Sequence, residues 1–188
     1  MMVFKRFQYE NGLDIIAPLK HGTRWLEEET NPQRIILDPL AWKQLIDYPI
    51  TDKCYWIYRE PKEHLLSALM TEIRGSIEFG EDETDFIIEK FLNKKGTHWS
   101  PITYQLMYEY WFKYKVKPLH LSKLSELFNS EIPFRKEKYE MRNYTKTKYD
   151  LSYIVEKVGK SNLDKLYKLS NEDSIFLKYI LNNEYKLI

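Results

Sequence analysis

The chain has 188 residues, a formal net charge of +1 at pH 7 and one cysteine, Cys54. This length is typical of one domain with a substantial buried core, so we expect residues 1–188 to form a single domain. The small net charge argues against extended nucleic-acid binding and favours a small-molecule partner, and a lone cysteine excludes an intrachain disulfide. No apolar stretch approaches membrane-spanning length and the amino terminus lacks a signal-peptide core, so we predict a cytoplasmic protein with no membrane partner.

Strands and helices alternate along the first part of the chain. Apolar periodicity predicts a leading strand at Phe4–Asn11, a second strand before Gly22 and a third at Arg34–Asp38. Helices are predicted after the second and third strands, the latter over 40–46 behind a helix-starting proline. The apolar and aromatic run Cys54–Tyr58 is typical of a central parallel strand covered on both faces. This alternation predicts an α/β fold in which helices flank a central, mainly parallel sheet.

The rest of the chain is predicted to be mainly helical. A long helix follows Pro61, and a fourth core strand is predicted at Val116–Leu121, where Pro118 indicates a strand start or a sheet edge. Ser122 is expected to cap the helix that follows this strand. Basic residues dominate the segment 133–148. The remaining predicted helices cover 83–92, 102–114, 122–128, 151–158, 163–169 and 172–181.

The second strand ends in a turn whose residues suit an anion. Its sequence is Lys20-His21-Gly22-Thr23-Arg24-Trp25-Leu26. Gly22 lets the backbone approach a ligand, Thr23 offers an amide and a hydroxyl, and Lys20 adds a compact positive charge. The turn lacks the Gly-x-x-x-x-Gly-Lys-[Ser/Thr] spacing of P-loops, so a nucleoside triphosphatase is not the first interpretation. Taken alone, the turn is more typical of an ordinary glycine connection between a strand and a helix.

A second candidate anion motif follows the strand Cys54–Tyr58. Arg59 is placed at the carboxyl end of that strand, Pro61 begins a helix, and Ser67 lies two turns into it. The guanidinium and the hydroxyl are therefore expected to reach one phosphate. Ligands of open α/β sheets gather at this edge. Each residue alone is more typical of a surface arginine paired with Glu63 and of an ordinary helical serine.

In this order, the two motifs resemble those of sulfotransferases that use 3′-phosphoadenosine-5′-phosphosulfate (PAPS). The first is similar to the family's 5′-phosphosulfate loop, usually Pro-Lys-Ser-Gly-Thr-Thr-Trp-Leu. The second is similar to its 3′-phosphate motif, Arg-[Asn/Asp/Glu]-Pro with a serine further along the helix. Weaker similarity to the carbohydrate sulfotransferase branch is seen at His98-Trp99-Ser100-Pro101, Asn143-Tyr144-Thr145-Lys146 and Asp173-Ser174-Ile175-Phe176. The resemblance implies a three-layer, P-loop-like fold.

The resemblance also implies roles for individual residues. Lys20 would act on the bridging and leaving oxygens of PAPS with no metal required, while Arg59 and Ser67 would hold the 3′-phosphate. Arg142 and Lys146 are candidates to fold over the nucleotide, although such a basic run is usually a solvated face. The phosphosulfate cradle would be formed by Lys20, His21, Gly22, Thr23, Arg24 and Trp25.

The general base is open at the level of sequence. His98 is the first candidate, because a neutral imidazole suits proton abstraction near pH 7 and the residue lies in a family-like element. An ordinary buried or capping histidine explains it equally well. The carboxylates Glu28, Asp38 and Asp47 are rivals, since relatives also use a carboxylate between the two phosphate motifs.

Two other function classes fit the same motifs. A small-molecule kinase shares the phosphate loop and the parallel sheet, but it needs Mg²⁺ ligands and a Gly-Lys-[Ser/Thr] signature. A sulfotransferase-like module could instead bind a nucleotide without turnover, because Arg24 replaces a second hydroxyl residue and the chain is shorter than most of the family. For an enzyme, aromatic side chains such as Trp42 and Trp99 could stack on a sugar face, which favours a carbohydrate or small hydroxylated acceptor slightly over a peptide or a lipid.

Overall fold

A computed structural model of the chain describes residues 4–38, 51–96, 98–99, 102–128 and 151–183. These ranges contain five strands and seven α-helices, which confirms the predicted α/β class. The strands are β1 Phe4–Gln8, β2 Asp14–Pro18, β3 Arg34–Asp38, β4 Cys54–Tyr58 and β5 Lys117–His120. The helices are α1 Thr23–Glu29, α2 Pro61–Glu78, α3 Thr84–Leu92, α4 Ile102–Tyr114, α5 Leu124–Leu127, α6 Leu151–Val158 and α7 Lys160–Asn183.

The five strands form one mixed sheet in the order β3-β1-β2-β4-β5. The pairs β2–β4 and β4–β5 are parallel, as expected for the apolar run of β4. β1 pairs antiparallel with both of its neighbours, β2 and β3. The strand β5 lies at the edge, where Pro118 removes no interior ladder hydrogen bond. The sheet is therefore parallel on one side and antiparallel on the other, and the mainly parallel arrangement stays a prediction.

Helices cover both faces of this sheet because its strands alternate buried apolar side chains. Ile16 and Trp56 belong to a core cluster that includes residues of α4 and α7. The neighbouring residues Ile15 and Ile57 point to the other face, in a cluster with residues of α1 and α5. A third cluster joins α2, α3, α6 and α7 beside the sheet. β2 and β4 are thereby packed on both faces.

A buried ion pair joins the first two strands on the Ile16 face. Arg6 Nε donates to Asp14 Oδ1 at 2.8 Å, and the two side chains are 0% and 1% exposed. We expect Asp14→Asn to lower the free energy of unfolding by about 3 kcal/mol, because it leaves a buried guanidinium without its countercharge. Urea denaturation measures this loss. Glu126→Gln, which breaks an exposed pair with Lys123, is the control and should change stability little; equal effects of the two variants would contradict the prediction.

The carboxyl-terminal helices differ from the sequence prediction. The segments 163–169 and 172–181 are parts of one helix, α7, which runs without a break from Lys160 to Asn183. The predicted ranges leave residues 170 and 171 outside a helix, but Leu166, Ser170 and Asp173 form one continuous buried stripe at helical spacing. Packing of that stripe overrides the weak helix propensity of two residues.

The cap predicted at Ser122 is also wrong. No side chain of the described residues caps α5, and His120 instead caps the turn before it: its Nδ1 accepts from the Ser122 backbone N–H at 3.3 Å and lies 2.8 Å from the Ser122 hydroxyl. A short 3-10 turn, Leu121–Lys123, separates β5 from α5. The predicted helix at 40–46 and the basic segment 133–148 fall outside the described residues. Within the described ranges, no helix combines the length and apolar character needed to cross a membrane.

Candidate functional site

The candidate site begins where β2 ends in a tight turn. The His21 backbone N–H donates to the Pro18 carbonyl at 3.0 Å, and α1 starts at Thr23. Lys20 and Gly22 both adopt left-handed backbone conformations, with φ of 70° and 79°. A non-glycine residue in this region costs about 1–3 kcal/mol, and such strain concentrates at functional sites. The helix α1 has only seven residues. Any anion must therefore be held by the turn and its side chains more than by the helix dipole.

The structure brings the two anion motifs together. β2 and β4 are adjacent and parallel, and their register brings the strand ends at Pro18 and Tyr58 to the same sheet edge. Arg59 follows β4 directly, and its Nη1 donates to the Lys20 carbonyl at 3.2 Å. Its other terminal nitrogen, Nη2, lies 3.3 Å from Glu63 Oε2, which is the local pairing expected for a surface arginine. Arg59 therefore makes the local ion pair with Glu63 and also a hydrogen bond to Lys20, which joins the two anion motifs.

Positive charge is concentrated around the Lys20 amine. Burial lowers the pKa of Lys20, and the Arg74, Arg24 and Arg59 guanidiniums lower it further. The carboxylate of Glu72 acts in the opposite direction. The carboxylates of Glu28, Glu63 and Glu72 offset part of this positive charge, and a bound anion would offset more of the repulsion between the cations. Arg74, a buried residue of α2, was missed by the sequence analysis because it lies within an apolar helical pattern.

Two predicted cradle residues direct their side chains into the core. The His21 ring is fully buried, with its Nδ1 3.1 Å from the Leu19 carbonyl and its centroid 4.3 Å from that of His64. Burial, with the adjacent His64 and Arg59, lowers the pKa of His21 well below its ordinary value. Trp25 is also fully buried and packs edge-on against Phe128. Neither side chain can therefore contribute to an anion cradle, and the His21 backbone N–H is already bonded to the Pro18 carbonyl.

The other predicted cradle and phosphate residues are placed differently. Thr23 is buried at the start of α1, whereas Arg24 is exposed and its Nε donates to Glu28 at 2.7 Å. Ser67 is half-buried in the second turn of α2. The pairing of Glu28 with Arg24 weakens the case for Glu28 as a general base, since the paired carboxylate is a poorer proton acceptor.

His98 is held at the site by a carboxylate that the sequence analysis did not identify. Its backbone N–H donates to Glu72 Oε1 at 3.0 Å, and its ring Nδ1 lies 3.5 Å from the same oxygen. The other oxygen, Oε2, accepts from Lys90 Nζ at 3.1 Å. Burial alone would raise the pKa of Glu72, but the contacts with His98 and Lys90 hold it at about 2. The His98 carbonyl lies 3.0 Å from His64 Nε2, which links this loop to the buried histidines.

No family model, curated protein or solved structure matches the chain. The similarity to sulfotransferases therefore rests on the motifs, and the case for function rests on the geometry of the site. Among the described residues, no group of three or more His, Cys, Asp and Glu side chains is arranged to hold a metal ion.

The remaining predicted site residues lie further away or outside the described ranges. Asp38 ends β3, and Phe4 of β1 pairs with both Asp38 and Pro18. Asp38 is therefore two strand spacings, roughly 10 Å, from the end of β2. Asp47, Arg142 and Lys146 fall outside the described residues, as do Thr97, Ser100 and Pro101 beside His98.

Proposed function

We propose that the chain is a sulfotransferase that moves a sulfuryl group from PAPS to a hydroxyl or amine of a carbohydrate or small-molecule acceptor. Its scaffold would be a three-layer, P-loop-like fold built around the parallel strands β2, β4 and β5. The observation that carries this proposal is the contact between Arg59 Nη1 and the Lys20 carbonyl at 3.2 Å. That contact puts both candidate anion motifs within the span of one nucleotide.

The distribution of charge supports the same donor. PAPS carries a phosphosulfate at one end of the ribose and a phosphate at the other, so it needs cations in two adjacent places. The turn supplies Lys20 and its backbone amides, and the end of β4 supplies Arg59, with Ser67 further along α2. A 3′-phosphate on this second group of residues would distinguish PAPS from ATP.

The proposed reaction transfers SO₃ between two oxygens, or to an amine nitrogen. The acceptor atom forms a bond to sulfur while the bond from sulfur to the bridging oxygen breaks, and adenosine 3′,5′-bisphosphate leaves with that electron pair. Lys20 and the turn amides stabilise the charge that develops on the leaving oxygen. His98 takes the proton from the acceptor hydroxyl or amine. The protein releases this proton before the next reaction cycle. The main task of the site is alignment and charge stabilisation.

Ligand selectivity tests the proposal directly. Adenosine 3′,5′-bisphosphate should raise the melting temperature more than AMP or ATP with Mg²⁺, because only it reaches both groups of cationic residues. Arg59→Ala should weaken bisphosphate binding by about 10–100-fold through loss of a charge-assisted hydrogen bond. Lys62→Ala, at an exposed position in the first turn of α2, is the control. A Mg²⁺-dependent preference for ATP would instead indicate a P-loop-type kinase.

A nucleotide-binding module without turnover is the second candidate function. It is favoured by Arg24, which stands in place of a second hydroxyl residue and leaves Thr23 as the one hydroxyl residue of the turn. The exposed Arg24 side chain is also paired with Glu28. The two candidates differ in product formation. An acceptor screen with radiolabelled PAPS should yield a sulfated product if the chain is an enzyme, whereas tight bisphosphate binding without any product would favour the module.

A further inference from the structure

We propose that Glu72 is a positioning residue, which holds the His98 ring so that Nε2 is the atom that accepts the acceptor's proton. This inference rests on the proposed function for its role in transfer. Its structural part, the orientation of the ring, is independent of that function. Glu72 lies on α2 at the turn after Ser67, so one helix would carry both a phosphate ligand and the residue that orients the base.

The first argument is the double contact of one oxygen. Glu72 Oε1 accepts the His98 backbone N–H at 3.0 Å and lies 3.5 Å from ring Nδ1 of the same residue. Nδ1 is buried and has no hydrogen-bond partner among the described residues, so this carboxylate oxygen is the nearest acceptor that the structure offers it. Hydrogen bonds of catalytic groups are often long before ligands bind and shorten in the complex.

The second argument is that the carboxylate is itself fixed and charged. The Glu72 side chain is 8% exposed, and Lys90 Nζ holds its second oxygen at 3.1 Å. These contacts keep the pKa of Glu72 at about 2 against the effect of burial, so the group is an anion at neutral pH. In the described part of the chain, the titratable groups in contact with the His98 residue are Glu72 and His64, and Lys90 reaches it through Glu72. Glu72 is the only anion of these three.

The third argument concerns which nitrogen takes the proton. An acceptor on one ring nitrogen fixes the proton there and leaves the other nitrogen as the base. With Nδ1–H directed at Glu72, the lone pair of His98 is on Nε2, and the ring retains 28% of its surface exposed. When the acceptor hydroxyl or amine attacks sulfur, its proton moves to Nε2. The imidazolium that forms is then balanced by the Glu72 carboxylate.

Kinetics test the catalytic part of the inference. Glu72→Gln keeps the shape and the acceptor for the His98 backbone but removes the charge, so we expect kcat to fall about 10-fold or more. The KM for PAPS should not change, because the donor is held by the phosphate motifs. Glu78→Gln, at an exposed position on the same helix, is the control. Equal kcat values for the two variants would overturn the catalytic role.

Nuclear magnetic resonance tests the structural part without reference to transfer. In the wild-type protein, nitrogen-15 spectra of the neutral His98 ring, assigned by comparison with His98→Gln, should show the Nδ1–H tautomer. Predominance of the Nε2–H tautomer would overturn the inference, whether or not the chain transfers sulfate. If the Nδ1–H tautomer is found but no acceptor is ever sulfated, the proposed function fails while the assigned orientation stands. The two failures are therefore distinguishable, and the spectrum requires no variant at Glu72.

Discussion

If the chain transfers sulfuryl groups as proposed, replacing Lys20 by alanine should lower kcat/KM by about 10³-fold or more, because the leaving oxygen would lose the cation proposed to stabilise it. The expected loss exceeds that of a simple binding contact, since the charge on this oxygen develops in the transition state. Initial rates with radiolabelled PAPS measure it. The same variant should bind adenosine 3′,5′-bisphosphate less tightly but still detectably, because Arg59 and the turn amides remain.

The Lys20 variant should also remain folded, for reasons specific to this turn. Alanine and lysine pay a similar penalty at a φ of 70°, so the substitution adds no backbone strain. It also removes a buried cation whose pKa is lowered by burial and by the nearby guanidiniums of Arg74, Arg24 and Arg59. We therefore expect an unchanged or slightly higher melting temperature. Lys62→Ala is the activity control, and full turnover by Lys20→Ala would exclude Lys20 from the mechanism.

The parts of the fold that sequence reasoning recovered are those with strong local patterns. The continuous apolar run predicted β4 and the proline predicted the start of α2: the observed strand Cys54–Tyr58 and the helix start at Pro61 agree with the prediction. The end of α2 at Glu78 was not predicted. The proximity of Lys20 and Arg59 followed from the rule that adjacent parallel strands end at the same sheet edge. That rule works here because β2 and β4 are adjacent in the sheet.

Other features depend on contacts that are remote in sequence. The pairing of β1 with β3 depends on the path of the intervening chain. The antiparallel pairing of β1 with β2, by contrast, follows from their short connection with its Asn11-Gly12 turn, a hairpin signal that the sequence analysis did not use. Glu72 and Arg74 occupy ordinary positions in an apolar helix, and their importance appears only when the turn at Lys20 and the loop at His98 approach α2. The sequence carries one signal for both residues, which is a charged side chain within an otherwise buried stretch of helix.

The second large expected effect is on the stability of the fold, and it comes from Asp173. Its side chain is fully buried in α7, and neither carboxyl oxygen has a hydrogen-bond partner among the described residues. Burial, and then the charge of Glu172, raise the pKa of Asp173 to about 8, while Lys94 acts weakly in the opposite direction. The folded protein therefore holds a proton at pH values where the unfolded chain has released it.

The sign of the pH dependence follows from this difference. Between about pH 4 and pH 8 the folded state binds more protons at Asp173 than the unfolded state, so stability falls as pH rises, by about 1.4 kcal/mol per unit. The total is on the order of 5 kcal/mol across that window. His21 and His64 act oppositely, because their lowered pKa values make the fold lose stability as pH falls below the ordinary histidine value of about 6.5.

Asp173→Asn isolates the contribution of the carboxyl, because the amide has the same shape and stays neutral at every pH. Urea denaturation of both proteins should give similar stabilities near pH 4, with the variant becoming progressively more stable than the wild type up to about pH 8. The histidines are common to both proteins and cancel in the difference. Asp164→Asn, at an exposed position on the same helix, should follow the wild-type curve. Parallel curves for the wild type and Asp173→Asn would show that the buried carboxyl releases its proton at an ordinary pH, and that it has a partner which stabilises its charge.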